Sequence, residues 1–155
     1  CLVTVEDVSV NYEIEILDGA TTLTAERYRD GSVRVGYLYD DPYEEAVQLQ
    51  CVLMTEVDVS SANLAYNIEW AALKAANQFV NTDIELRTEN SKFQWGDRST
   101  FAIQESEGEG NGFAFVSRKG RRVFFIDCWG LPIEDSAELS DILLPHLEKF
   151  ALEQF

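Results

Sequence analysis

Few residues of this 155-residue chain have the type and spacing that chemistry requires. Cys1 is the first. A terminal thiol can attack a carbonyl while its own α-amine takes the proton. The same thiol can instead carry a lipid, with the amine acylated. The nucleophilic use needs oxyanion donors and usually a larger sandwich of strands between helices, so the lipid-bearing use of Cys1 is the stronger expectation. Cys51 and Cys128 then remain as an even pair. Closing their 77-residue separation would contribute roughly 4 kcal/mol on chain-entropy grounds. Both lie in apolar stretches, Val47 to Met54 and Val123 to Trp129, where a free Cys is simply a small buried hydrophobe. His146 is the only histidine and no two Cys stand at ligand spacing, so neither a metal nor a cofactor is expected. No Gly-x-Ser-x-Gly elbow accompanies His146, which reads as a surface or boundary residue. The pattern predicts a protein that is not an enzyme.

Two further groups invite a functional reading. Asp127 interrupts the apolar run Val123-Phe124-Phe125-Ile126. It is expected to be a carboxylate at the rim of a buried strand, with a raised pKa and a functional role, or else to face solvent or pair with Arg98 or Arg118 from the adjacent strand. Arg118, Lys119, Arg121 and Arg122 gather 4 of the 12 bases at one turn. Beside aromatic residues they could meet a carboxylate or an acidic patch, or they could merely guard an edge strand. Trp95 and Trp129 are candidates to line a ligand cleft, although aromatics at strand ends more often fill a core. Asp40, Asp41, Glu44 and Glu45, and again Glu105, Glu107 and Glu109, lack the spacing that wraps oxygens round Ca²⁺.

Charge narrows the field of partners. With 12 Lys+Arg against 28 Asp+Glu the net charge is −16. Such a surface repels phosphate backbones, so no nucleic-acid partner is expected. The acids are concentrated early: residues 1 to 73 hold 14 acids and 3 bases, while 74 to 155 hold 14 acids and 9 bases. The N-terminal half is therefore the better surface for a basic partner, and simple solubility is the competing explanation. At 46% apolar residues the chain is not disordered, and no apolar run approaches a membrane span.

These groups must be held by elements that the residue pattern also predicts. Val8 to Leu17 alternates like a strand. Thr22 to Arg29 and Ser32 to Tyr39 follow as strands joined by the hairpin signal Asp30-Gly31. Asp41-Pro42-Tyr43-Glu44 reads as a helix start that carries Ala46, Leu49 and Leu53, although Val47, Leu49, Cys51 and Leu53 also alternate as a strand. A second helix starts at Ser60 or Ser61 and runs to Asn81, with Leu64, Ile68, Ala71, Ala72, Ala75 and Phe79 on its core face. Ile84 to Trp95, Ser99 to Ser106, Phe113 to Arg118 and Arg121 to Trp129 read as strands, with a loop from Glu107 to Gly112. A last helix begins near Asp135 or Ser136. The grouping predicts an α+β fold: an antiparallel sheet with helices packed on one face, in two βββα-like halves.

With Cys1 leading, the chain resembles a mature bacterial lipoprotein. Trp95-Gly96-Asp97, the strand through Phe101, the Gly-rich loop, Phe113 to Val116, Arg118-Lys119-Gly120 and the strand ending Trp129-Gly130 precede a terminal helix. That order is similar to the C-terminal part of small exported bacterial lipoproteins and, more remotely, of PsbP/Mog1-like domains, over roughly the last 65 residues. The resemblance implies an accessory or binding role outside the cytoplasm and carries over no catalytic residue. The expectation is a lipid-anchored extracytoplasmic protein, periplasmic or at the cell surface, with residues 1–7 as tether and 8–155 as one domain. It would meet the membrane through its lipid and act on a protein partner. The alternatives are an N-terminal-cysteine amidohydrolase and an acidic inhibitor or immunity protein that masks a basic partner.

Overall fold

The computed structural model describes residues 2–43, 47–79, 83–90, 93–133 and 136–152. Its elements in chain order are α1 (Val5–Ser9), β1 (Thr21–Arg27), β2 (Val33–Asp40), β3 (Gln48–Thr55), α2 (Val59–Phe79), β4 (Ile84–Thr88), β5 (Arg98–Ser106), β6 (Glu109–Lys119), β7 (Arg122–Trp129), a 3₁₀ turn (Ser136–Leu139) and α3 (Ser140–Leu152). All seven strands form one sheet in the order β1-β2-β3-β7-β6-β5-β4, and every neighbouring pair is antiparallel. The fold is α+β.

Alternation along each central strand divides the core in two. One face carries Tyr37, Leu49, Cys51, Leu53, Phe101, Phe113, Phe115, Phe124 and Ile126, buried with Val5 and Val8 of α1 and Leu143, Leu147 and Phe150 of α3. The other carries Val52, Met54, Val116, Val123 and Phe125 under Ala62 and Tyr66 of α2. Helices therefore cover both faces, whereas the sequence suggested one. The reason is that β3, β6 and β7 are apolar on both sides, and such strands need a cover on each. The arrangement also argues against the two-halves reading. Only a two-fold axis perpendicular to the sheet could relate halves that meet at the antiparallel β3/β7 seam. Such an axis would put α2 and α3 on the same face.

Asp30-Gly31 makes the expected hairpin between β1 and β2, with Gly31 at φ +94° and the Asp30 carboxylate accepting the Ser32 N–H at 2.9 Å. Val8 to Leu17 is not a strand. The Asp7 carboxylate takes the Thr4 backbone N–H at 2.8 Å and its hydroxyl at 2.9 Å, which starts α1 instead. The alternation then survives as burial without a ladder: Tyr12 and Ile14 pack on the core while Glu13 and Glu15 face out. Gln48–Thr55 is a strand and not a helix, because it occupies the centre of the sheet, where its period of two satisfies both neighbours. Asp41 accepts the Tyr43 N–H at 3.0 Å as a turn; Glu44, Glu45 and Ala46 lie outside the described residues.

The second helix stands where the residue pattern put it, and the Asp58 carboxylate accepts the Ser61 N–H at 2.7 Å at its start. Its face is different. Ala62, Tyr66, Leu73 and Asn77 point inward, while Leu64, Ile68 and Phe79 are 61%, 54% and 80% exposed. Tyr66 decides the rotation: its hydroxyl lies 2.6 Å from Thr100 Oγ1 and Arg98 stacks over its ring at 4.2 Å. The expected loop from Glu107 to Gly112 is a tight turn, Glu107 and Gly108 at φ 53° and 83°, that feeds directly into β6. Of the expected strand Ile84 to Trp95, the described residues form strand only from Ile84 through Thr88.

Candidate functional site

The hairpin between β6 and β7 gathers Arg118, Lys119, Arg121 and Arg122, as its sequence implies. None of the four cations is idle. Arg118 reaches Asp97 Oδ2 at 3.0 Å and the Gly120 carbonyl at 2.9 Å, Lys119 Nζ sits 5.3 Å from the Trp95 ring centre, and Arg121 donates to the Val57 carbonyl at 3.2 Å. Arg122 donates to the Ala151 carbonyl near the C-terminus of α3 and lies over the Phe150 ring. A positive group there satisfies an orphan carbonyl and the helix dipole together. The turn Trp95-Gly96-Asp97 completes the clamp. The Asp97 carboxylate accepts the Gly120 N–H at 2.8 Å, and the Asp97 N–H donates to the Arg118 carbonyl at 2.7 Å. Gly96, at φ +80°, lies so near that carbonyl that a Cβ would meet it at 2.5 Å. A cavity of about 270 Å³ borders this tip, lined by Thr55, Lys119, Gly120, Arg121 and Arg122.

Trp129 lies elsewhere. It stands at the end of β7 opposite Arg122, so the two tryptophans line no common cleft. Of the two readings of Cys51 and Cys128, the structure has the free, buried thiols and not the disulfide. Register explains it. Leu49 faces Cys128 and Ile126 faces Cys51, which makes the two cysteines diagonal neighbours; residues so placed are about 7–8 Å apart, whereas a disulfide needs Cβ atoms about 4 Å apart. Cys51 Sγ instead accepts the Val3 N–H at 3.4 Å, and burial pushes its pKa up to about 12. Burial raises Cys128 as well, so neither thiol is a nucleophile.

Asp127 does not pair with an arginine. Its carboxylate accepts from Gln104 Nε2, because Arg98 and Arg118 belong to the opposite end of their strands. Burial lifts Asp127 to about 6 against the opposing pull of that hydrogen bond. His146 is a boundary residue, as expected: its Nε2 lies 3.5 Å from Asp7 Oδ1, and burial lowers its pKa despite that carboxylate. Residues 2–7 are no tether. Val3 and Val5 are fully buried, and the Val5 N–H donates to the Tyr37 hydroxyl at 3.2 Å. Cys1 itself lies outside the described residues.

The residue pattern missed the larger concavity. At the Trp129 end of the sheet, three separate segments enclose a cleft of about 570 Å³: Tyr12 to Glu15, Asp41 with Tyr43 and Val47, and Gly130 to Pro132. Its size suits a small organic group or a protein side chain. Glu13 and Glu15 are exposed and make no hydrogen bond or ion pair among the described residues. Asp41 is buried, with the Tyr39 hydroxyl at 3.4 Å from its Oδ2. Tyr12 donates to Glu138 at 3.3 Å, and burial followed by that negative neighbour holds its pKa at about 12. Among the described residues no three acidic, His or Cys side chains converge tightly enough to hold a metal ion. The cleft is chemically suited to a bulky cation whose charge meets carboxylates while its stem or plane lies on a tyrosine ring. The only advance signals were the alternation of Tyr12 and Ile14 with Glu13 and Glu15, and the early surplus of acids.

Comparison of the chain with protein-family models, with characterised proteins and with solved structures finds no match.

Proposed function

We propose that this protein works by binding, as an accessory or masking subunit that presents its acidic cleft to a lysine or arginine side chain of a basic protein partner. The observation that carries the reading is the cleft in which Glu13 and Glu15 stand uncommitted beside Tyr12 and Tyr43. A net charge of −16 supports it by drawing a basic surface in from a distance, an attraction that fades with salt. Cys1 would carry the anchoring lipid in an extracytoplasmic setting. Because Val3 is already buried in the core, such an anchor would hold the folded body directly against the membrane. Mass spectrometry of the native N-terminal peptide tests that part, and an unmodified thiol rejects it.

The cleft is tested by titrating the labelled protein with a short lysine-rich peptide. Amide resonances of Tyr12, Glu13, Glu15 and Tyr43 should shift and saturate, and the apparent affinity should fall at least tenfold between about 50 mM and about 500 mM salt. Shifts scattered over the whole acidic surface without saturation would overturn the reading.

A further inference from the structure

We propose that β1 is a self-complementary edge at which a second copy of this chain adds its own β1, joining two sheets into one of fourteen strands. All seven residues of β1, Thr21 to Arg27, are exposed, and among the described residues β2 is the only strand beside it. The β1/β2 register runs without a bulge, and β1 contains no proline. These are the devices that ordinarily blunt a free edge. The opposite edge is different: β4 has five residues, and Arg87 there is tied to Glu89 and Glu105.

Register identifies which backbone groups are open. The Asp40 N–H donates to the Ala20 carbonyl at 3.0 Å and the Tyr28 N–H to the Ser32 carbonyl at 2.9 Å. The even-numbered residues of β1 therefore face β2. Thr21, Leu23, Ala25 and Arg27 direct their N–H and C=O groups outward, where another strand can take the place of water. A two-fold axis perpendicular to the sheet keeps equivalent faces together, so each residue must meet one of its own parity.

Centring the axis on Thr24 sets Thr21 opposite Arg27 and Leu23 opposite Ala25, each twice. All four outward residues then form hydrogen-bonded pairs, eight bonds in all. Moving the centre to Leu23 or Ala25 leaves three pairs. In the Thr24 register the side chains also agree: Thr24 meets Thr24, Glu26 meets Thr22, and no like charges stand directly opposite. Leu23, 68% exposed in the single copy, gains cover from the second.

Such a contact is smaller than a standard stable interface, so the pairing is transient and each copy's charge of −16 opposes it. Salt screens that repulsion. Self-pairing should therefore strengthen with salt, whereas cation binding in the cleft weakens, and either can fail without the other. Sedimentation velocity of the full chain over a concentration series should show dimer increasing at least tenfold in association constant between about 50 mM and about 500 mM salt. Ala25→Pro removes one outward N–H and leaves the β1/β2 ladder intact, and it should sediment as monomer. Hydrogen exchange on the unsubstituted chain gives a second readout: amides of Thr21, Leu23, Ala25 and Arg27 should slow as concentration rises, while those of Thr22, Thr24 and Glu26 stay slow throughout. A chain that remains monomeric at the highest concentration and salt, exchange at the odd positions that ignores concentration, or a folded Ala25→Pro variant that still dimerises would each overturn the proposal.

Discussion

The two ends of β7 carry opposite charge, and they use it in opposite ways. At the Arg122 end four cations lie within five residues, yet each is spent on a carbonyl, a carboxylate or a ring of its own fold. At the Trp129 end, about 23 Å away along an eight-residue strand, Glu13 and Glu15 have no such obligations among the described residues. The cations are donors, and they settle where chain segments end with unpaired carbonyls, at Val57 before α2 and at Ala151 near the end of α3. The glutamates alternate with Tyr12 and Ile14, whose inward packing holds Glu13 and Glu15 out, and neither bonds to a donor among the described residues. Counting charge in a sequence therefore locates charge without telling how much of it is available to a partner.

The largest effect expected comes from prising the basic end apart. Gly96→Ala adds strain at φ +80° and forces a methyl against the Arg118 carbonyl at 2.5 Å. Strain and backbone displacement together should cost about 3 kcal/mol. Thermal unfolding should show a midpoint lower by roughly 6–12 °C. A loss of under about 1 kcal/mol would mean that the turn does not clamp the hairpin and that its cations are available after all. Asp97→Ala is a gentler cut at the same place. It removes the acceptor of the Gly120 N–H and the ion partner of the half-buried Arg118, which keeps the Gly120 carbonyl, and should cost about 1 kcal/mol.

Asp127 supplies a carboxylate of a third kind, neither clamped by a cation nor fully open to solvent. Its folded pKa of about 6 stands above the ordinary carboxylate value because burial disfavours the charged form. The folded protein therefore holds this proton when the unfolded chain has lost it. Stability from this group is fully present below the unfolded value near 4 and is lost as pH rises to about 6. Asp127→Asn should be more stable than the parent by about 2 kcal/mol at pH 8 and about equal to it at pH 4. Denaturant titrations at both values check this. A variant that is destabilised equally at both would assign Asp127 a structural role as an anion.

Much of this framework was legible in the residues because local signals and tertiary context agree there. Asp30-Gly31 marks its hairpin, and Arg121 to Trp129 differs from β7 by one residue. Where several long-range choices compete, local pattern fails. Leu49 and Leu53 fit a capped helix and a strand equally, and only a place between β2 and β7 decides for the strand. In α2 the apolar stripe through Leu64 and Ile68 was the better core candidate by composition, but the Tyr66 hydroxyl and the Arg98 stack turn another face inward. The basic tip was visible as a cluster, while its carbonyl partners at Val57 and Ala151 lie 64 and 29 residues away in sequence. The acidic cleft was least visible, since residues 12–15, then Asp41, Tyr43 and Val47, and residues 130–132 meet only after the sheet has formed.

The smallest effect on stability is expected at the glutamates, and there the comparison between the ends of β7 is sharpest. Glu13→Gln combined with Glu15→Gln removes two exposed carboxylates that bond to nothing among the described residues. Unfolding free energy should move by no more than about 0.5 kcal/mol, and upward if anything, because the net charge falls from −16 to −14 and self-repulsion eases. Affinity for a lysine-rich peptide should nevertheless drop at least tenfold, since each lost contact is worth about 1 kcal/mol or more where a cation and a carboxylate meet beside a tyrosine ring. Arg121→Ala, at the other end, should leave that affinity unchanged or slightly raised while costing about 1 kcal/mol of stability. If instead the double glutamine variant binds as well as the parent, the peptide responds only to net charge, and the cleft is no more available than the basic tip.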